Sequence, residues 1–152
     1  MTLKLLAGVR VIELSLIIPG NQTGGLLADL GADVIKIEPP PFGDYIREVR
    51  PIDLAKRISE MDLFLNRNKR SLTVDLKTEG GRNLFYALVE TADIVFDLSV
   101  PGTREKLKVD YESCRKVKSD IIYCSMTHLG QEGPDAWHRD HGEGRGFGGN
   151  DR

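Results

Sequence analysis

Cysteine is scarce: Cys114 and Cys124 are the only two in 152 residues. They form no CxxC, and no histidine stands beside them at ligand spacing. Neither a disulfide scaffold nor a thiolate metal site is expected. They read as buried or half-buried free thiols in a reducing cytoplasm. No apolar run reaches the roughly 20 residues that cross a bilayer, and the N-terminus lacks a signal-peptide pattern. Charge of one sign is lacking too. Lys and Arg number 21 and Asp and Glu 23, a net charge of −2. That balance argues against nucleic acid and against an anionic membrane as partners. There is no internal repeat. What is present, 40% hydrophobic and 29% charged residues, suits one soluble domain with a real core.

The chain is organised around residues 9–38. Residues 9–14 are a β-branched run, typical of a buried strand. Pro19-Gly20-Asn21 reads as a turn. Residues 22–30 then place Leu26, Leu27 and Leu30 at helical spacing, with Asp29 facing out and Gly31 as the C′ residue. Residues 33–38 form a second strand, stopped by Pro39-Pro40-Pro41. Two strands joined through a helix make a right-handed βαβ unit and therefore a parallel sheet. In such sheets the ligand crevice lies beyond the carboxyl ends of the strands, which puts 15–21 and 39–44 at its edge.

Further strands are expected at 71–76, 93–98 and 120–126. Helices are expected at 78–92, 103–108 and 111–118. Thr78 is the N-cap of the first, and Leu84, Phe85, Leu88 and Val89 form its apolar face. Residues 45–61 read as irregular, with a helical turn around 53–59. The predicted class is α/β: a Rossmann-like open, mainly parallel sheet with helices on both faces. Residues 1–134 make this domain. Residues 135–152 read as a flexible Gly-rich tail; 138–152 hold five glycines, and Phe147 is their one large apolar residue.

Several stretches are candidates for chemistry. Gly20 to Gly25, between strand and helix, would let a phosphate approach backbone N–H groups. The GxGxxG spacing and the Lys-Ser/Thr of a P-loop are absent, and Gly24 and Gly25 also suit close helix–sheet packing. Arg67, Lys69 and Arg70 would hold the phosphates of a nucleotide-like ligand, or form a solvated loop. Lys77 and Lys106, at element ends, carry the same two readings. His138, Asp140 and His141 offer acid–base chemistry, against an exposed tail as the plainer reading. A metal would need a third ligand, and His128 lies on another element, so no metal is expected. There is no GxSxG and no Ser-His-Asp arrangement.

Four motifs occur together in order. They are LLADLGADVIKIEP (26–39), NRNKRSLTVDLK (66–77), ADIVFD (92–97) followed by Pro101-Gly102, and GQEGP (130–134). Over residues 7–142 the chain resembles the family III CoA-transferases, which include formyl-CoA transferase and the α-methylacyl-CoA racemases. Members are more than twice as long, so the resemblance is to an N-terminal portion. It implies a Rossmann-like large domain, a small domain and, in the full-length parent, an interlocked homodimer. Coenzyme A is carried as a substrate, with acyl-CoA and carboxylic acids as the small-molecule partners. In the transferases an aspartate attacks the thioester, forms a mixed anhydride and releases the CoA thiolate. That aspartate aligns beyond Arg152.

In the racemases a His and an Asp move the α-proton, and His141 falls at that histidine. Gly142 stands where the racemases carry Asp. The resemblance places Lys77 and Lys106 at contacts to the CoA nucleotide and Arg139 near the pantetheine. Pro39-Pro40 replace the family's Arg after the second strand, and Leu98-Ser99 replace an Asn-aromatic pair. The expected function is therefore the N-terminal part of an enzyme moving CoA between an acyl-CoA thioester and a carboxylic acid. The alternatives are a 2-methylacyl-CoA racemase and an inactive CoA-binding or interaction fragment.

Overall fold

Val11, Ile12 and Leu14 form the most buried strand of the molecule, and every other strand of the main sheet is laid down beside it or beyond it. The structure, a computed structural model, describes residues 4–49, 52–53, 58–127, 129–134 and 136. In chain order the elements are β1 (Arg10–Leu14), α1 (Ile17–Asp29), β2 (Asp33–Glu38), a 3-10 turn (Tyr45–Glu48), β3 (Ile52–Asp53), β4 (Ile58–Ser59), α2 (Glu60–Leu65), β5 (Arg70–Thr73), α3 (Glu79–Val89), β6 (Ile94–Asp97), α4 (Thr103–Leu107), α5 (Tyr111–Val117) and β7 (Ile122–Ser125).

The main sheet has the order β5-β2-β1-β6-β7, and every pairing in it is parallel. Counting its strands alone, the order is 3-2-1-4-5, that of a doubly wound α/β fold. Alternation sorts the side chains to two faces. Val11, Val34 and Phe96 pack with Ala28 and Ala32 on one face. Ile12, Ile35 and Val95 pack with Phe85, Val89 and Cys114 of α3 and α5 on the other. Both faces are covered by helices, as the sequence predicts.

The opening unit differs from expectation in its helix. Helix α1 starts at Ile17, so Pro19-Gly20-Asn21 is not a turn. Pro19 falls in the first helical turn, where a missing N–H costs no hydrogen bond. The buried face of α1 is Gly20, Asn21, Gly24, Gly25 and Ala28, while Leu26 and Leu30 are 53% and 40% exposed. A Cβ on Gly24 would lie 1.9 Å from Glu13 Oε2, and one on Gly25 would lie 2.6 Å from the Leu65 carbonyl. The helix sits too close to its neighbours for leucine, and the glycines serve that close packing. Gly31, with φ of 100°, is the C′ residue.

Other boundaries moved for local reasons. Strand β5 ends at Thr73; the Val74 N–H still reaches the Glu38 carbonyl at 2.9 Å, and then a turn at Asp75 begins. Of the helical turn expected at 53–59, residues 54–57 lie outside the described residues; its two ends belong to the antiparallel pair β3–β4, which is followed by α2 with Ser59 as its N-cap. Thr78 caps α3, its Oγ1 accepting from the Gly81 N–H at 3.0 Å. Phe85 and Val89 are buried there, whereas Leu84 is exposed. Both cysteines are free; Cys114 is buried and Cys124 exposed. Burial, helped by the charge of Asp110, pushes the Cys114 thiol up to about 12. Among the described residues no helix is long and apolar enough to cross a membrane. The tail expected over 135–152 lies outside the described residues, Ala136 apart.

Candidate functional site

The chain leaves β1 for α1 on one face and leaves β6 for α4 on the other. Such a divergence between adjacent strands opens a crevice at their carboxyl ends. A cavity of about 260 Å³ lies there. Leu14, Ile37, Val74 and Leu76 give it an apolar lining, and Lys77 and Arg104 stand in its wall. A second cavity of about 320 Å³ adjoins it; the two share Ser99 and Arg104. The second is more polar, with Tyr111, Tyr123, Ser125 and Gln131 among its lining.

Arg104 is held between the central strands. Its Nε donates to Asp97 Oδ1 at 2.5 Å and its Nη2 to the Leu14 carbonyl. Asp97 Oδ2 accepts from Ser99 Oγ at 2.9 Å and Ser125 Oγ at 3.4 Å. The αL backbone of Gly102, φ 80°, turns the chain from β6 into α4 and so brings Arg104 back over the strand ends.

The α1 face of the same strand ends carries a buried ion network. Lys36 Nζ lies 3.2 Å from Glu13 and 2.9 Å from Asp44, and donates to the Ser15 carbonyl at 2.7 Å and Asn21 Oδ1 at 2.5 Å. Lys69 Nζ lies 2.8 Å from Glu13 Oε2 and donates to the Asn21 carbonyl and Asn66 Oδ1. Both lysine side chains are at most 2% exposed. Beside them Glu38 accepts from Arg47, from Ser71 Oγ at 2.7 Å and from the Asp44 N–H at 2.9 Å. Burial alone would raise the Glu38 carboxyl, but hydrogen bonds from Arg47, Ser71 and the Asp44 N–H outweigh it and hold it at about 2. Asp44 is likewise lowered: burial acts against it, and the Lys36 charge and the Ile46 N–H prevail. Lys69 is lowered because burial outweighs its attraction to Glu13.

This network bears on two readings of the sequence. Asp44 occupies the head of α1, accepting from the Ile17 N–H at 3.0 Å and from Asn21 Nδ2 at 2.7 Å. The place where a phosphate would meet the Gly20 to Gly25 segment is already filled by a carboxylate. Arg67, Lys69 and Arg70 each pair with a carboxylate, Asp29, Glu13 and Asp33 in turn. Sequence reasoning missed the network, although a signal existed. Glu13 stands between Ile12 and Leu14, and Lys36 between Ile35 and Ile37, in strands expected to be buried on both faces. A charge in such a run needs a buried partner.

Of the expected site residues, Lys77 lines the apolar cavity. Lys106 is an exposed residue of α4, whose Thr103, Arg104 and Leu107 line that cavity. Arg139 and His141 lie outside the described residues. The strand order and the crevice at the switch point define a doubly wound α/β domain, a class whose ligands sit beyond the carboxyl ends of the strands.

Within that class the chain belongs to CoA-transferase family III, whose family model matches residues 6–143. It is 43% identical over 136 residues to the succinate–glutarate CoA-transferase of Agrobacterium fabrum, covering 86% of this chain and 34% of that protein. It is 37% identical over 133 residues to the succinyl-CoA:glutarate CoA-transferase of Mus musculus, covering 88% of this chain and 30% of that one. A crystal structure of a CAIB/BAIF family protein from Brucella suis matches with a TM-score of 0.82 at 39% identity, over 91% of this chain and 38% of that chain. The chain thus spans about a third of the length of these relatives.

Proposed function

We propose that the chain is the N-terminal, coenzyme-binding part of an enzyme that moves CoA between an acyl-CoA thioester and a carboxylic acid. The observation that carries this is the apolar cavity at the switch point, with Lys77 in its wall and Lys106 on the adjoining α4. Apolar walls suit the adenine ring, and cations at the rim suit its phosphates. Arg139 and His141 join the proposal on the family resemblance, as a pantetheine contact and a racemase-type position. Two relatives are named for succinate and glutarate, which makes a short dicarboxylic acid the acceptor to test first. A homodimer of the parent and a cytoplasmic setting, which two free thiols suit, belong to the same reading.

The test is calorimetric titration with CoA. Charge-assisted phosphate contacts are worth roughly 1.5–3 kcal/mol each. Lys106→Ala and Lys77→Ala are each expected to weaken binding about tenfold, the factor that 1.4 kcal/mol represents. Wild-type affinity in both variants would remove the site from this crevice.

A further inference from the structure

We infer that Arg104 is a binding residue for the diphosphate of coenzyme A. The inference rests on the reading of the crevice as a CoA site and adds a residue that the family resemblance does not assign. Two cavities adjoin at the strand ends, and Ser99 and Arg104 are the lining residues they share. A ligand longer than either cavity crosses the ridge these two residues form. Coenzyme A is a nucleoside joined through a diphosphate to an arm carrying two amides. With the nucleoside in the apolar cavity and the arm in the polar one, the diphosphate lies on the ridge, at the guanidinium.

The guanidinium is prepared for that role. The Arg104 side chain is 15% exposed, and it opens on both cavities. Nε holds Asp97 Oδ1 and Nη2 holds the Leu14 carbonyl, fixing the plane of the group along the edge of the sheet. A guanidinium has five N–H donors; Nη1 makes no hydrogen bond among the described residues. Asp97 does not cancel the site, because its other oxygen is turned to Ser99 and Ser125. A fork whose rotamer is already set loses little entropy when it binds a diphosphate. Arg104 as a mere strut between β1 and β6 is the competing reading.

The experiment compares wild type, Arg104→Gln and Arg104→Lys in titrations with CoA at low and high salt, alongside their melting temperatures. Arg104→Gln is expected to weaken CoA binding at least tenfold at low salt. The loss should shrink as salt screens the ion pair, and Arg104→Lys should recover part of it by restoring the charge without the fork. A strut would instead give a loss that tracks the melting temperature and ignores salt, and that result overturns the inference. Unchanged affinity in Arg104→Gln overturns it as well, while leaving the CoA site standing. Absence of CoA binding by wild type overturns the site itself, and this inference with it. Should Arg104→Gln fail to fold, wild type titrated with inorganic diphosphate decides. The side-chain N–H signals of Arg104 must shift in the NMR spectrum, and a static signal refutes the assignment.

Discussion

Replacing Lys36 with Met removes one charge and leaves a side chain of similar length. The ammonium lost is 1% exposed and lies within 3.2 Å of two carboxylates. Glu13 retains Lys69 at 2.8 Å. Asp44 keeps the N–H groups of Ile17 and Ile46 and the amide of Asn21, but has lost the lysine that balances it. Stranding one charge of a buried pair costs about 3–5 kcal/mol. Against a total stability of about 5–15 kcal/mol, that is enough to unfold a marginal domain. Arg10→Met is the control, because Arg10 and Asp33 are each 37% exposed and such pairs contribute about 0–1 kcal/mol. The assay is urea unfolding followed by circular dichroism. Adding Asp44→Asn to Lys36→Met should recover at least about 1 kcal/mol, since the stranded charge goes with it. If Lys36→Met costs no more than Arg10→Met, the network is hydrated and the reasoning fails.

Three further outcomes are expected. A carboxyl whose folded pKa lies below its unfolded value stabilises the fold above the unfolded value and loses that contribution as pH falls through the folded one. For Glu38, moved from 4.5 to about 2, up to about 3 kcal/mol should therefore be lost between those pH values, and Glu38→Gln should flatten that limb of an acid titration. Gly24→Ala would press a methyl against Glu13 and should cost about 1–3 kcal/mol in thermal melts, whereas Gly80→Ala, with open space around it, should be neutral or stabilising by up to about 1 kcal/mol. Incubated with acyl-CoA donors and acids, the 152-residue chain should bind without turnover, because the resemblance places the nucleophilic aspartate past Arg152; a hydroxylamine-sensitive acyl adduct on any of its carboxylates would refute that.

The sheet was legible because its strands are short β-branched runs with helical spacers, and Val11, Val34 and Val95 mark three of them at their true positions. Helix α1 was legible as a helix but not as a surface. Leu26 and Leu30 look like a packing stripe until the helix is seen to rest on Gly24 and Gly25, and hydrophobicity says nothing of that distance. The pairing of β3 with β4 was hidden because two residues on each strand carry no periodicity. The site was half legible. Lys77, expected from the motifs, lines the cavity, whereas Arg104 draws its position from Asp97 and the Leu14 carbonyl, one of them ninety residues away in the chain. Lys36 and Glu38 of one motif and Lys69 of another are buried side by side, with the exposed Ser71 donating to Glu38 from the rim.

The central position of β1 has a consequence for synthesis on the ribosome. Its first neighbour, β2, emerges some twenty residues after it, but the other edge waits for β6, where Val11 pairs with Ile94. That is roughly eighty residues of further translation, about 4–16 s at 5–20 residues per second. Throughout that interval a β-branched strand edge stands open in the nascent chain, able to pair with another copy on a neighbouring ribosome. The order in which the strands are made therefore exposes the most buried part of the fold for longest.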